Sequence, residues 1–306
     1  MKKLLLFSLL CVLAPYVVYS QSGFSSLNRD EYTFAFGPSQ TFSDLGGSPG
    51  VGTHFLKDFN AAAIRIGGYV GYRKRISNSF SLKGVVTVGE VYGDDALSSN
   101  PYRFNRNQNF RSIIIEPSLQ FEWYFYQHSH PGHRYKIKHA HGFTSLAIDA
   151  YLFAGVGGFY FNPQGKYLDG QWYNLRPLST EGEGLPGGPA EYSQIALCIP
   201  AGFGLKYLIS SQWSIGMEAS TRLWTSTDYL DDTHNNYFNP EEIEQYKGPI
   251  AAYFAHPVLG LIPGQDIVGT ERGDPKNNDT YMFLFFTLDY RPAPHRAGRR
   301  RRRARF

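Results

Sequence analysis

Apolar and polar residues alternate along several long segments of this chain. In residues 110–126 an apolar side chain stands at nearly every second position, with polar or charged residues between. The apolar set is Ile113, Ile115, Leu119, Phe121, Trp123 and Phe125, and the polar set is Ser112, Glu116, Ser118, Gln120 and Glu122. Because successive side chains of a strand point to opposite faces, the pattern predicts a strand with one apolar and one polar face.

Seven further segments show the same alternation, several with aromatic residues near their ends. The eight predicted strands lie near Glu31–Pro38, Ala62–Arg75, Phe80–Tyr92, Phe110–Tyr126, Ala147–Phe161, Ser193–Leu208, Trp213–Thr225 and Thr280–Tyr290. Such strands are typical of barrels that cross an outer membrane. The predicted fold class is all-β: a transmembrane antiparallel up-and-down β-barrel of eight strands.

The connections between these strands alternate in length, as periplasmic turns and outer loops do in such barrels. Short connections are Ile76–Ser79 and Ile209–Gln212, and long ones are Gly93–Asn109, Asn162–Tyr192 and Ser226–Asp279. The connection Gln127–Leu146 departs from the rule by being long on the turn side.

The last loop holds two features of its own. Asn239 followed by Pro240 is a helix start signal, so a short helix is expected there. The apolar stretch Ile250–Leu261 fits a plug, a lid or an extra hairpin, which leaves ten strands as an alternative.

The first twenty residues read as a secretory signal peptide. Lys2 and Lys3 precede the apolar run Leu4–Val18, and Ser20 is a small residue at a plausible cleavage point. The predicted division is therefore a signal peptide over 1–20, an outer-membrane barrel over 21–290 and a basic, disordered tail over 291–306. Integral insertion in the outer membrane of a Gram-negative cell is the expected location after cleavage.

Charge is distributed unevenly along the chain. The net charge of +4 arises from Lys2, Lys3 and the eight arginines from Arg291 onward, since the rest has 20 basic and 26 acidic residues. The tail fits contact with anionic lipid, peptidoglycan or an acidic partner, or plain disorder; export argues against nucleic acid. Cleavage would leave Cys198 as the one cysteine, without an internal disulfide partner.

Charged residues on the polar faces of the strands would share the lumen. An eight-strand barrel is filled by its own side chains, and charges in so confined a space must be paired or hydrated. A structural salt-bridge network is the favoured interpretation, and a proton or ion path is the alternative. The predicted network is Arg65, Lys83, Glu116, Glu122, Asp149, Lys206, Glu218, Arg222 and Asp289.

Three other groups of residues invite a chemical reading. The first holds five histidines, His128, His130, His133, His139 and His141, but basic residues interrupt it, so a solvated turn is favoured over a metal site or a pH-sensitive contact. Asp228, Asp231 and Asp232 favour a structural motif at the loop rim over calcium binding. Glycine clusters near 155–158 and 202–204 lie inside strands and not at nucleotide-binding turns. No enzyme activity, cofactor or small-molecule substrate is expected.

Four segments, in their order along the chain, resemble one known family. They are Phe42–Gly47, Asn100–Asn107, Tyr151–Phe161 and Thr227–Asp232. Together they are similar to the PorG-like outer-membrane barrels of the type IX secretion system of Bacteroidota, over about Tyr32 to Tyr290.

The resemblance implies a structural role in protein export. PorG-like barrels would anchor a periplasmic ring, made of a PorK-like lipoprotein and its PorN-like partner, to the outer membrane. The ring-facing surface would then be the basic turns, with Arg73, Lys74, Arg75, Arg134, Lys136 and Lys138 as candidate contacts. An OmpA-like envelope anchor or a small channel is the alternative.

Overall fold

Eight long antiparallel strands close into a barrel. The computed structural model describes residues 30–45, 61–127, 148–210, 212–262, 268–273, 275 and 277–292. The predicted signal peptide, the histidine-rich turn and the tail beyond Pro292 lie outside these residues. The strands are β1 (Asp30–Phe42), β2 (Arg65–Arg75), β3 (Phe80–Asp94), β4 (Asn109–Tyr126), β5 (Ile148–Lys166), β6 (Trp172–Asn174), β7 (Ile195–Leu208), β8 (Trp213–Thr225) and β9 (Thr280–Tyr290).

Pairing runs around the barrel without a crossover. The order is β4-β3-β2-β1-β9-β8-β7-β5, and the pairing of β4 with β5 closes the circle. The three-residue β6 pairs only with β5. The first and last barrel strands meet in register, with Tyr32 opposite Tyr290. Closure leaves no edge unpaired among the eight barrel strands, which a chain in lipid requires because no water is there to satisfy backbone groups. The predicted eight-strand fold is confirmed.

The alternation of apolar and polar residues in the sequence corresponds to the outer wall and the lumen of the barrel. Along β4 the residues from Ser112 to Phe125 switch between buried and exposed at every step. The exposed set is the apolar one, as Ile113 and Trp123 illustrate. Aromatic pairs mark the end of the barrel with the short turns, including Trp213 with Tyr290 at 4.7 Å between ring centroids and Tyr32 with Tyr72 at 5.7 Å.

Glycines make room for large aromatic side chains inside the barrel. Gly67 and Gly89 lie opposite each other on β2 and β3. A Cβ atom on either would come within 2.6 to 2.7 Å of the Phe283 ring. The fully buried Phe283 ring therefore fits the lumen only because these two strands present no side chain there.

The three long loops fold over the mouth opposite the short turns. They carry the helices α1 (Pro101–Arg106), α2 (Pro240–Lys247) and α3 (Pro249–Ala255). The predicted helix at Asn239 is confirmed, since the Asn239 side chain accepts a hydrogen bond from the Glu241 N–H. The extra hairpin considered for residues 250–261 is wrong, because α3 occupies the first half of that stretch. No helix among the described residues is long and apolar enough to cross a membrane.

Candidate functional site

A network of ion pairs centred on Arg73 lies in the lumen. The Arg73 side chain is 2% exposed. Its Nε donates to Glu122 at 2.7 Å, and its Nη1 donates to Asp289 at 2.7 Å and to Glu31 at 2.9 Å. Because a guanidinium carries five N–H donors in a fixed plane, one side chain can join carboxylates from several strands.

Two lysines complete what we call the lumen network. Lys83 Nζ donates to both carboxylate oxygens of Glu218, at 2.8 and 3.0 Å, and Lys206 Nζ donates to Glu31 at 2.7 Å. The Tyr151 hydroxyl also donates to Glu218. The members of the lumen network are Glu31, Arg73, Lys83, Glu122, Tyr151, Lys206, Glu218 and Asp289.

An aromatic layer and a second ion pair lie further along the lumen toward the loops. Phe283 and Phe285 stack with centroids 4.9 Å apart. Arg222 pairs with Glu116 at 2.6 Å, and its guanidinium carbon lies 4.9 Å from the centre of the Phe283 ring. The Tyr281 hydroxyl donates to the same Glu116 carboxylate at 2.7 Å. Charged and aromatic side chains thus alternate along the barrel axis.

Eight of the nine residues predicted for the lumen lie inside the barrel, in three separate places. Lys83, Glu122, Lys206, Glu218 and Asp289 belong to the lumen network, and Glu116 with Arg222 forms the second pair. Asp149 lies closer to the short turns, 3.6 Å from Arg75. The structure therefore brings most of the predicted set together, in two tiers rather than one.

Arg65 does not lie in the lumen. Its Nε pairs with Glu90 at 3.2 Å, and its guanidinium carbon stands 3.8 Å from the centre of the Tyr92 ring. Glu90 and Tyr92 alternate with the buried Gly89 and Val91, so they lie on the outward face of β3. The strand begins at Arg65, where the side chain is free to turn outward.

Arg73 does not face a periplasmic partner. It shares the inward face of β2 with Gly67, Tyr69 and Gly71. Because the side chain is buried in the lumen network, a periplasmic ring protein could not contact it. Lys74 is exposed, and the Arg75 side chain is 16% exposed. Arg134, Lys136 and Lys138 lie outside the described residues, as does the histidine-rich turn.

Sequence reasoning missed Glu31, Arg73 and Tyr151 as lumen residues. The signal for Arg73 was present, because the position has the same parity as Tyr69 on an alternating strand. Glu31 stands at the edge of its predicted strand, where parity is least certain. Tyr151 reads as an ordinary barrel aromatic, and its contact with Glu218 joins residues 67 positions apart.

The loops that cover the other mouth form a folded unit, which we call the outer cap (described residues of 95–108, 167–194 and 226–279). Arg272 ties two of these loops together: its Nη1 donates to Glu181 at 2.8 Å and to the Asp232 carbonyl at 2.7 Å. Arg106 Nε donates to Asp95 at 2.7 Å. Asp231 accepts the Leu45 N–H at 3.0 Å, which attaches the cap to the chain that follows β1.

Buried carboxyl groups accumulate in the outer cap. Burial, helped by the nearby Asp44, raises the pKa of Asp231 to about 7. Burial and the neighbouring Glu183 raise the pKa of Asp232 to about 8. Burial and nearby aspartates also raise the pKa of Asp279 well above its ordinary value. Near neutral pH, Asp231 and Asp232 are therefore poised to titrate.

The predicted Asp228–Asp232 motif is a set of structural contacts in this cap. Asp232 accepts hydrogen bonds from the Tyr192 hydroxyl at 2.5 Å and the Thr180 hydroxyl at 2.6 Å. Asp228 lies 2.8 Å from the Nδ1 of His234. Among the residues that the structure describes, no group of three or more His, Cys, Asp or Glu side chains is arranged to hold a metal ion.

The outer wall of the barrel is apolar where the lumen is charged. Phe36, Ile66 and Val156 are each at least 66% exposed on this wall. A closed, eight-strand barrel with an apolar exterior and a polar, filled interior is stable only with lipid around it. The protein is an outer-membrane β-barrel.

Comparisons with known proteins find similarity in structure alone. No protein-family model matches the sequence. No curated protein matches it either. Solved structures that align with the barrel include Ail, the attachment invasion locus protein of Yersinia pestis, and Neisserial surface protein A, each at 8% identity and a TM-score of 0.36. Outer membrane protein W of E. coli aligns at 12% identity and a TM-score of 0.36.

These alignments cover most of each chain. The alignment with Ail spans 86% of this chain and 98% of Ail. The corresponding shares are 86% and 96% for the Neisserial protein, and 87% and 99% for outer membrane protein W. At these TM-scores, the assignment of the fold rests on the strand order and closure of this barrel itself.

Proposed function

We propose that this protein is a non-conducting, structural barrel of the outer membrane that acts through its two ends. The observation that carries the proposal is the lumen network, in which Arg73 links three strands by hydrogen bonds shorter than 3 Å to Glu31, Glu122 and Asp289. The aromatic layer at Phe283 and Phe285 is a second barrier in series. An open channel would require these groups to be hydrated and separated.

Conductance in a planar lipid bilayer tests this proposal. We expect the purified barrel to give no ohmic steps, because both barriers are packed and buried. A trimeric porin inserted into the same bilayer is the positive control. Stable, uniform steps from wild-type protein would reject the structural reading and favour a small channel.

Within this class we propose a finer role, the PorG-like anchoring of a periplasmic ring in type IX secretion. The order of the four resembling segments supports it. Two of these segments contribute to the cap: Asn100 caps α1 through a 2.9 Å bond to the Tyr102 N–H, and Asp231 and Asp232 make the contacts described above. The proposal involves neither an enzyme activity nor a cofactor. An OmpA-like envelope anchor is the alternative.

Affinity purification from gently solubilised outer membranes tests the finer role. We expect a tagged barrel to bring a PorK-like lipoprotein and its PorN-like partner with it, and the Lys74→Glu variant to recover less of both, since Lys74 is an exposed basic residue at the turn end. Lys166→Glu is the matched control, because it reverses an exposed charge at the opposite end of the barrel. Recovery of the barrel alone from cells that assemble such rings would favour the envelope anchor.

A further inference from the structure

A cluster of basic and aromatic side chains lies on the outward wall of the barrel, where β3, β4 and β5 approach the outer cap. Arg111 shares the outward face of β4 with Ile113, which is 48% exposed. Two residues along a strand span about 7 Å. Arg111 therefore stands just beyond the last apolar residue on the outward face of its strand, at the height where lipid headgroups begin.

The cluster is held together by cation–π contacts. The Arg111 guanidinium carbon lies 4.3 Å from the centre of the Trp172 ring, and the Arg65 guanidinium carbon lies 3.8 Å from the centre of the Tyr92 ring. The two rings meet edge to face with centroids 6.4 Å apart. Tyr92 and Arg111 are also register partners on adjacent strands. We call Arg65, Tyr92, Arg111, Lys166 and Trp172 the rim cluster.

The charges of the rim cluster are unevenly neutralised. Arg65 is paired with Glu90 at 3.2 Å. Asp94 accepts from the Tyr92 hydroxyl at 2.7 Å and from the Ala96 N–H at 2.9 Å. Arg111, by contrast, contacts two neutral groups: the Gln164 side-chain oxygen at 2.9 Å and the Trp172 ring.

Lys166 adds a second cation beside Arg111. It is exposed, lies two residues beyond Gln164 on the outward face of β5, and pairs with Trp172 in the short sheet extension of β6. Because Gln164 is the register partner of Arg111, Lys166 is its diagonal neighbour, and such neighbours lie about 7 to 8 Å apart. A phosphate group fits between two cations at this separation, and arginine can bind it with two N–H donors.

We propose that the rim cluster binds the phosphate of an outer-leaflet lipid headgroup. Arg111 and Lys166 bind the phosphate, Trp172 holds the Arg111 guanidinium flat, and the Arg65–Tyr92 pair fixes the far side of the cluster. A lipid is the ligand rather than free phosphate because the site is continuous with the apolar wall, where Ile113 and Tyr160 are exposed to receive acyl chains.

Native mass spectrometry of the barrel in maltoside micelles tests the proposal. The probe is phosphatidic acid, and diacylglycerol is the matched lipid without phosphate. We expect wild-type protein to retain phosphatidic acid in preference to diacylglycerol. Each basic residue near a headgroup is worth about fivefold in affinity, so the double variant Arg111→Gln, Lys166→Gln is expected to bind about thirtyfold more weakly.

The Lys74→Gln variant is the control that matches the Lys166→Gln single variant in charge, since it removes one basic residue from the opposite rim and should leave binding unchanged. Variants are compared only after a heat-modifiable band shows that they have folded, and the Lys166→Gln single variant serves if the double variant does not fold. Equal binding by wild type and the rim variant, or equal retention of both lipids, would overturn the proposal. Displacement of the lipid by an equal concentration of inorganic phosphate would also overturn it, because the ligand would then be the free ion.

Discussion

Replacing Arg73 with methionine is expected to destabilise the barrel by about 3 to 5 kcal/mol. Removing one partner of a buried ion-pair network leaves the others uncompensated in a medium of low dielectric constant. Here the change would leave Glu31, Glu122 and Asp289 without their shared donor. Methionine nearly fills the volume of arginine, so the loss reports charge and hydrogen bonding more than an empty space. Reversible urea unfolding in detergent, followed by tryptophan fluorescence, measures the change.

The matched control is Arg75→Met on the same strand. Arg75 has the same inward parity, but its side chain is 16% exposed and 3.6 Å from Asp149. We expect it to cost less than about 1 kcal/mol, as partly solvated pairs do. The double variant Arg73→Met, Glu122→Gln should recover part of the loss, since it removes one of the abandoned charges. Equal destabilisation by the two single variants would contradict the central role of Arg73.

How far the sequence predicts this fold depends on where each residue lies along its strand. In the middle of β4 the alternation of Ile113, Ile115 and Glu116 has one solution, because the apolar face must meet lipid and the polar face must meet the lumen. At the start of β2 the same rule fails. Arg65 has inward parity, yet its Nη1 donates to the Ile64 carbonyl at 2.8 Å and its Nε pairs outward with Glu90.

The outer cap was less accessible to prediction from the sequence. The helix at Asn239 was predictable because its start signal is local, within three residues of sequence. The contact between Leu45 and Asp231 joins positions 186 residues apart, and no pattern in either segment predicts it. The acidic run at Asp228–Asp232 therefore resembled a candidate ion site, although its carboxyl groups are used to fasten loops.

Buried carboxyl groups hold the loops of the outer cap together, so the stability of the cap is expected to depend on pH. Asp231 faces Asp44, the Thr233 hydroxyl and the Leu45 N–H, and Arg106 is the nearby cation. Asp232 faces Glu183, Arg272, Thr180 and Tyr192. In both cases burial and a neighbouring acid raise the pKa of the carboxyl group by more than the nearby hydrogen-bond donors lower it. The protonated carboxyl group is therefore the form that the folded cap prefers.

We expect the outer cap to loosen as pH rises from about 4 to about 8. The folded cap binds protons more tightly than the unfolded chain, because the pKa values of Asp231 and Asp232 rise from 3.8 to about 7 and about 8. The folded form is thus favoured in acid, and its advantage is lost as pH rises through this window. One pKa unit corresponds to about 1.4 kcal/mol, so ionisation of Asp232 alone removes on the order of 5 kcal/mol of cap stability between pH 4 and pH 8. Limited proteolysis by proteinase K at the two ends of the window measures cap opening against cleavage of a pH-insensitive reference protein.

The Asp232→Asn variant separates this cause from a general effect of pH on the barrel. Asparagine has the same shape and tolerates the left-handed backbone at this position, where φ is 65°. Asparagine cannot ionise, so the variant should resist cleavage at pH 8 better than wild type and match it at pH 4. Asp30→Asn, at the turn end of β1, is the control for loss of a carboxyl group far from the cap. If wild type and Asp232→Asn open equally at pH 8, ionisation of Asp232 does not govern the cap, and its contacts with Tyr192 and Thr180 hold regardless of charge.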